Sequence, residues 1–161
     1  MKKSRLLDLY RYFYKKKPMM LVLYGWIFAL ACTSIFISIS LLLDTESGYQ
    51  PKNEDNIYDW FVMVIAGPFI GILLSPYLPL KVAGWFKRRP YFLIILFAAL
   101  IFGGMHYKLP LMVVTAFLTG LCWALFCLIL IRRKKHPVFH VWLMYALHNA
   151  FLLGLITMWP E

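Results

Sequence analysis

The sequence predicts an all-α integral membrane protein of about five transmembrane helices. Three observations predict it: an apolar content of 62%, five long apolar runs, and the confinement of nearly all basic residues to alternate gaps between those runs. An ordinary soluble domain carries roughly 45–50% apolar residues, and the mean hydropathy here is +0.71. A water-soluble fold of 161 residues could not hide that much apolar surface. The length bounds the chain to one compact domain with no room for a separate soluble module.

The runs justify the spans in order. The first covers residues 19–43 and is opened by Pro18, whose missing N–H and fixed φ suit the first turn of a helix. It is long enough to cross a bilayer and lacks a small-residue cleavage site before the acidic segment that follows, so it reads as a span and not as a cleavable signal. The second covers residues 58–80. The third, residues 91–106, is short for the ~30 Å hydrocarbon core at 1.5 Å per residue, so it lies near the bilayer normal or borrows His106 and Tyr107 at the interface. Pro110 opens the fourth, residues 110–131, and the fifth is residues 137–158. Pro68, Pro76 and Pro79 fall within the second span, where prolines kink or break a helix and free backbone groups that then need partners.

Charge sets the orientation. Lys2, Lys3, Arg5, Arg11 and Lys15 to Lys17, then Lys81, Lys87, Arg88 and Arg89, then Arg132, Arg133, Lys134 and Lys135 lie on one side; only Lys52 and Lys108 lie on the other. By the positive-inside rule the basic side is cytoplasmic, which places the N-terminus in the cytoplasm and the C-terminus outside it. The loop carrying Asp44, Glu46, Glu54, Asp55 and Asp59 then faces outward. The same clustering argues against nucleic acid as a partner despite a formal charge of +10. Residues 1–17 form a separate element before the transmembrane domain of residues 18–161. Leu6, Leu9, Tyr10, Phe13 and Tyr14 recur there at helical spacing among basic residues, the pattern of an interfacial amphipathic helix, with Lys15, Lys16 and Lys17 at the lipid surface. Cys32, Cys122 and Cys127 sit inside apolar runs without the paired spacing of a zinc site and read as reduced packing residues. Thr33, Ser34, Ser38 and Ser40 give the first span a mildly polar face suited to helix contact, and Trp60, Trp142 and Trp159 read as interfacial anchors.

Ionisable groups within spans mark function by default, because hydrocarbon makes them expensive. Two stand out: His106 at the end of the third span, beside the Gly103-Gly104 pair, and His148 near the middle of the fifth, flanked by Tyr145 and Asn149. Every Asp and Glu falls in a loop, a terminus or the interface.

These residues carry a family resemblance. Phe102-Gly103-Gly104-Met105-His106 reads F-x-x-x-H at the end of an apolar helix. Phe117-Leu118-Thr119-Gly120-Leu121 follows on the next helix, then a basic loop, then Tyr145-Ala146-Leu147-His148 on the last. Upstream, Ala66-Gly67-Pro68-Phe69-Ile70 precedes Lys87-Arg88-Arg89-Pro90. Over residues 60–158 this order resembles the core of the CAAX-protease and bacteriocin-processing family of intramembrane metalloproteases. The resemblance implies a zinc-dependent peptidase whose activity resides in E-E-x-x-x-R, the His of F-x-x-x-H and a final H-x-x-x-N. Here Gly71 and Ile72 stand where the paired glutamates belong, Pro76 stands where the Arg belongs, and Leu152 lies four residues after His148. Asn149 does not substitute for it, since one residue on is about 100° around a helix whereas i+4 returns to nearly the same face.

Activating water for hydrolysis requires a tuned general base and, in a metal mechanism, about three protein ligands. Two imidazoles without a carboxylate fall short of that. The sequence is therefore expected to encode a catalytically degenerate member of this family, not itself an enzyme and without a cofactor. It would act as a binding or scaffolding subunit of a membrane complex, in contact with the lipid bilayer and another membrane protein of a bacterial cytoplasmic (inner) membrane. The alternatives are an active metalloprotease using His106 and His148 with zinc, and a bacteriocin self-immunity protein.

Overall fold

The computed structural model describes residues 5–42, 57–85, 90–107 and 110–158. The acidic residues Asp44, Glu46, Glu54 and Asp55, the basic Lys2, Lys3, Lys52, Lys87, Arg88, Arg89 and Lys108, and Trp159 lie outside the described residues, as do the side chains of Arg5, Leu6, Ser40 and Asp59. The described chain is helical throughout its regular structure. Helix α1 is Arg5–Tyr14 and α2 is Pro18–Leu42. Helix α3, residues 57–83, is continuous but not uniform: α-helical Ile57–Phe61, Gly67–Ile72 and Leu78–Ala83 alternate with π-helical Val62–Ala66 and Leu73–Tyr77. Helices α4, α5 and α6 are Tyr91–Gly104, Pro110–Arg132 and Pro137–Met158.

Four stretches are long and apolar enough to cross a membrane: Pro18–Ile39, Val62–Ala83, Pro110–Arg132 and Pro137–Leu155. Helix α4 is as apolar, but its 14 residues span only about 21 Å. Prolines open α2, α5 and α6 at the first helical position, where no N–H is needed.

Helix α5 is the axis of the bundle. It packs against α1, α2, α3, α4 and α6. Half of its apolar window is buried within the molecule, 50% against 22–28% in the other three long helices, so its neighbours are the ones that face the surroundings. The α4–α5 pair is the most extensive, and small residues make it so. A Cβ on Gly120 would lie 3.1 Å from the Phe102 Cβ and 3.2 Å from the Ala99 Cα, and one on Gly103 would lie 3.0 Å from the Val113 carbonyl oxygen. The backbones approach because those side chains are absent, the small-residue mode of helix association in lipid. Of the Gly103-Gly104 pair only the first has this role; a Cβ on Gly104 meets nothing within 4 Å.

The prolines of α3 do not break it. At each π turn an N–H reaches back five residues, Gly67 to Val62 and Leu78 to Leu73, and a proline follows at once, Pro68 and Pro79. The widened turn absorbs the clash between a proline ring and the carbonyl four residues earlier. Its consequence for backbone bonding is local. Gly67 gives its N–H to Val62 in place of Met63, and Pro68 has none to offer Met63 either. The Met63 carbonyl instead accepts from Asn149 Nδ2 at 2.8 Å, and the Ile65 carbonyl accepts from Trp142 Nε1 at 3.1 Å. Trp142 is thus a brace between α6 and α3 as well as an aromatic near a span end. Lower on α3, the buried Ser75 hydroxyl donates to the Ala98 carbonyl of α4 at 2.8 Å.

One end of the bundle gathers cations. The Arg132 Nη1 donates to the Tyr10 hydroxyl at 3.1 Å and its guanidinium lies 4.2 Å from the Tyr91 ring centroid. Arg133 donates to the Lys16 carbonyl. Helix α1 is docked there by Phe13, whose ring meets Phe126 at 5.1 Å and Tyr24 at 5.8 Å, while Leu9, Tyr12 and Tyr14 stay exposed. Cys32 and Cys127 are buried, Cys122 is partly so, and all three are free thiols.

Candidate functional site

Of the positions singled out in sequence, Phe102, His106, Tyr145 and Gly71 share one cluster. Phe102 of α4 is 3% exposed and is the hub. Its ring centroid lies 5.4 Å from that of Tyr145 on α6, 5.2 Å from that of Trp123 on α5 and 4.9 Å from that of His106; Trp123 and Tyr145 are 4.8 Å apart. The edge-on and tilted geometries are those that aromatic quadrupoles favour. Gly71 of α3 closes the cluster: a Cβ there would lie 3.3 Å from Tyr145 Cε1 and 4.0 Å from Phe102 Cε2. A side chain at position 71 would therefore press on the Tyr145 ring, which would have to shift by a few tenths of an ångström to admit it. Ile72 is fully buried in the core and Pro76 is buried beside Ser75. Leu152 is half-buried on α6, one turn beyond His148.

The two histidines serve separate ends. His106 closes α4. Its backbone N–H bonds to the Gly103 carbonyl and that of Met105 to Ile101, so the Phe102 carbonyl receives the His106 ring instead, Nδ1 to oxygen at 2.9 Å. A carbonyl only accepts, so Nδ1 carries the proton and Nε2 is the free lone pair of the neutral ring. This is a side-chain cap on one of the last carbonyls of a helix. His148 is 8% exposed and joins α6 to α2: its Nε2 lies 3.2 Å from Thr33 Oγ1. Thr33 is the one residue of the polar face predicted on the first span that makes a described bond to another helix. Ser38 bonds to the Ser34 carbonyl of its own helix at 2.9 Å, and both face outward.

Two buried polar atoms at this centre, His148 Nδ1 and Trp123 Nε1, have no hydrogen-bond partner among the described residues. A buried polar atom without a partner costs on the order of 1–3 kcal/mol, so the centre is packed at some expense in hydrogen bonding. His106 and His148 share no hydrogen bond or ring contact with each other. Among the described residues no three His, Cys, Asp or Glu side chains are grouped so that they could hold a metal ion. The donor set therefore does not fit the zinc that the family resemblance implies: one imidazole caps its own helix, the other is tied to a threonine, and position 71 is a glycine that supplies no ligand.

Lys15 and Lys17 are exposed beside α1. Lys16 is engaged: its ammonium lies 4.3 Å from the Tyr12 ring centroid, and a side-chain hydrogen bond between the two holds the Tyr12 phenol below its ordinary value and the Lys16 amine above its own. Sequence reasoning missed Trp123, the pairing of Thr33 with His148, and the bracing roles of Trp142 and Asn149. The signal for the last was present in Gly67-Pro68, which withholds two helical donors from one carbonyl. The partner could not be read, because nothing in the chain order says that Asn149 faces Met63. Searches of protein-family models, of curated proteins and of solved structures found no match to this chain.

Proposed function

We propose that this chain is a five-span protein of a bacterial cytoplasmic membrane, N-terminus inside and C-terminus outside. In this reading it is a degenerate relative of the CAAX-protease and bacteriocin-processing family that works as a binding or scaffolding subunit of a membrane complex. The gathering of Arg132, Arg133 and the α1 cations at one end supports the orientation. The meeting of Phe102, His106, Tyr145 and position 71 in one cluster supports the family reading. One observation supports the loss of reaction: among the described residues no three His, Cys, Asp or Glu side chains are grouped to hold a metal ion, and Gly71, where a glutamate of the family pattern would stand, packs against the Tyr145 ring. A helix bundle whose centre is sealed by aromatic rings offers its outer faces for work, and α2, α3 and α6 keep most of their apolar surface outside the core.

The test is purification of the full chain in mild detergent from its native membrane, with metal analysis and a peptide-hydrolysis assay on the same sample. A stoichiometric membrane partner, with hydrolysis unchanged in His106→Ala and His148→Ala, is the expected result. Hydrolysis abolished by either substitution, together with bound zinc lost in parallel, would establish the protease instead. Consistent recovery as a lone monomer would sink the subunit role.

A further inference from the structure

The cations at the basic end are not equivalent. Arg133 is spent on the Lys16 carbonyl, and Lys16 itself on Tyr12. Arg11, Lys15 and Arg132, the last already bonded to the Tyr10 hydroxyl, line an open surface cavity of about 570 Å³ together with Tyr10 and Tyr14. Three positive side chains and two phenols line it, and no carboxylate does. Asp8 reaches Arg11 at 3.9 Å with both side chains more than half exposed, a pairing of little strength that water and salt screen. The cavity is of the size that holds a small polar ligand.

Its position in the fold says which ligand. Arg132 is the last residue of the apolar helix α5, and α1 meets the bundle just before Pro18 opens α2. The cavity therefore lies at the level where the apolar length of the bundle ends, which in a bilayer is the plane of the phosphates. From this juxtaposition we infer that the cavity between α1 and the end of α5 binds the phosphate headgroup of an anionic phospholipid. Arg11, Lys15 and Arg132 meet the phosphate, and the Tyr10 and Tyr14 hydroxyls are hydrogen-bond donors to it. Arginine is suited to this by its fork of N–H donors and lysine as a point charge. The site makes the lipid a bridge between α1 and α5, beyond the general attraction of a basic segment to a charged surface. The inference rests on the membrane location and not on the subunit role.

Calorimetric titration of the full chain in neutral detergent tests it, with dioctanoyl phosphatidylglycerol, dioctanoyl phosphatidylcholine and inorganic phosphate as probes. The expected result is saturable one-to-one binding of phosphatidylglycerol, at least about tenfold tighter than of either other probe. Arg11→Gln, Lys15→Gln and Arg132→Gln each weaken it about tenfold, the loss of one charge-assisted hydrogen bond. Lys135→Gln removes the same charge from the same end but outside the cavity, and is expected to change affinity less than about twofold. Arg11 of α1 and Lys15 just after it are exposed side chains, so their variants retain the bundle. Equal weakening by Lys135→Gln and Arg11→Gln would overturn the site in favour of a diffuse charged surface. Inorganic phosphate binding as tightly as the lipid would overturn the lipid as ligand, and phosphatidylcholine binding equally would overturn the role of charge.

Discussion

Helices α5 and α3 have similar length and apolar composition, 23 residues in Pro110–Arg132 and 22 in Val62–Ala83, yet they are held in place by different forces. Helix α5 is regular and buried on many sides, and Gly120 lets α4 close upon it so that Phe102 and Ala99 fill the gap. Its stability resides in packed volume. Helix α3 is interrupted by two π turns and three prolines and is only 28% buried over its apolar window. It is held by discrete polar braces, Asn149 to Met63, Trp142 to Ile65 and Ser75 to Ala98. A close-packed seam fails when something is added; a braced helix fails when a donor is taken away.

That contrast can be broken at its strongest point first. Gly120→Leu forces a side chain against the Phe102 Cβ and the Ala99 backbone, and is expected to destabilise the fold by about 3 kcal/mol, the upper part of the overpacking range. Equilibrium unfolding in mixed micelles measures it. Gly104→Leu is the matched control, expected within about 0.5 kcal/mol of the parent because its Cβ meets nothing. Similar losses from both would mean that the seam is not the tight contact described.

A smaller effect tests the other side. Asn149→Leu removes the donor to the Met63 carbonyl and is expected to cost about 1 kcal/mol, the scale of an interhelical hydrogen bond in a membrane protein. Hydrogen exchange should rise in the amides of residues 62–67 and stay unchanged in α5; an equal rise in both helices would end the distinction between braced and packed. Smallest of the three, Ser75→Ala is expected to cost about 0.6 kcal/mol in the same unfolding measurement. Its partner Ala98 keeps the helical fold of α4, so a loss comparable to that of Gly120→Leu would show α3 to be packed in the way α5 is.

Much of the architecture was legible in the chain. Pro18, Pro110 and Pro137 sit at helix starts as the rules for proline require, and the apolar runs lie within two residues or so of the helices. The site was legible in part. Phe102 meets both His106, one turn further along at the end of α4, and Tyr145 of α6. The α3 helix was less so: three prolines in one apolar run predict disruption, while π turns before Pro68 and Pro79 carry the helix through. The predicted polar face of α2 resolved into one working residue, Thr33, since Ser38 bonds within its own helix.

Composition and charge spacing alone determined that the protein is helical and apolar enough to cross a membrane, because hydrocarbon forces every backbone group into a helix and leaves cations at helix ends. Only the tertiary structure decided which side chains share the centre. It packed the Tyr145 ring against Gly71, and it gave each histidine a different partner. Those outcomes depend on how α3, α4, α5 and α6 rotate about their own axes, a choice made by packing volume and by the search of freed carbonyls for donors on other helices.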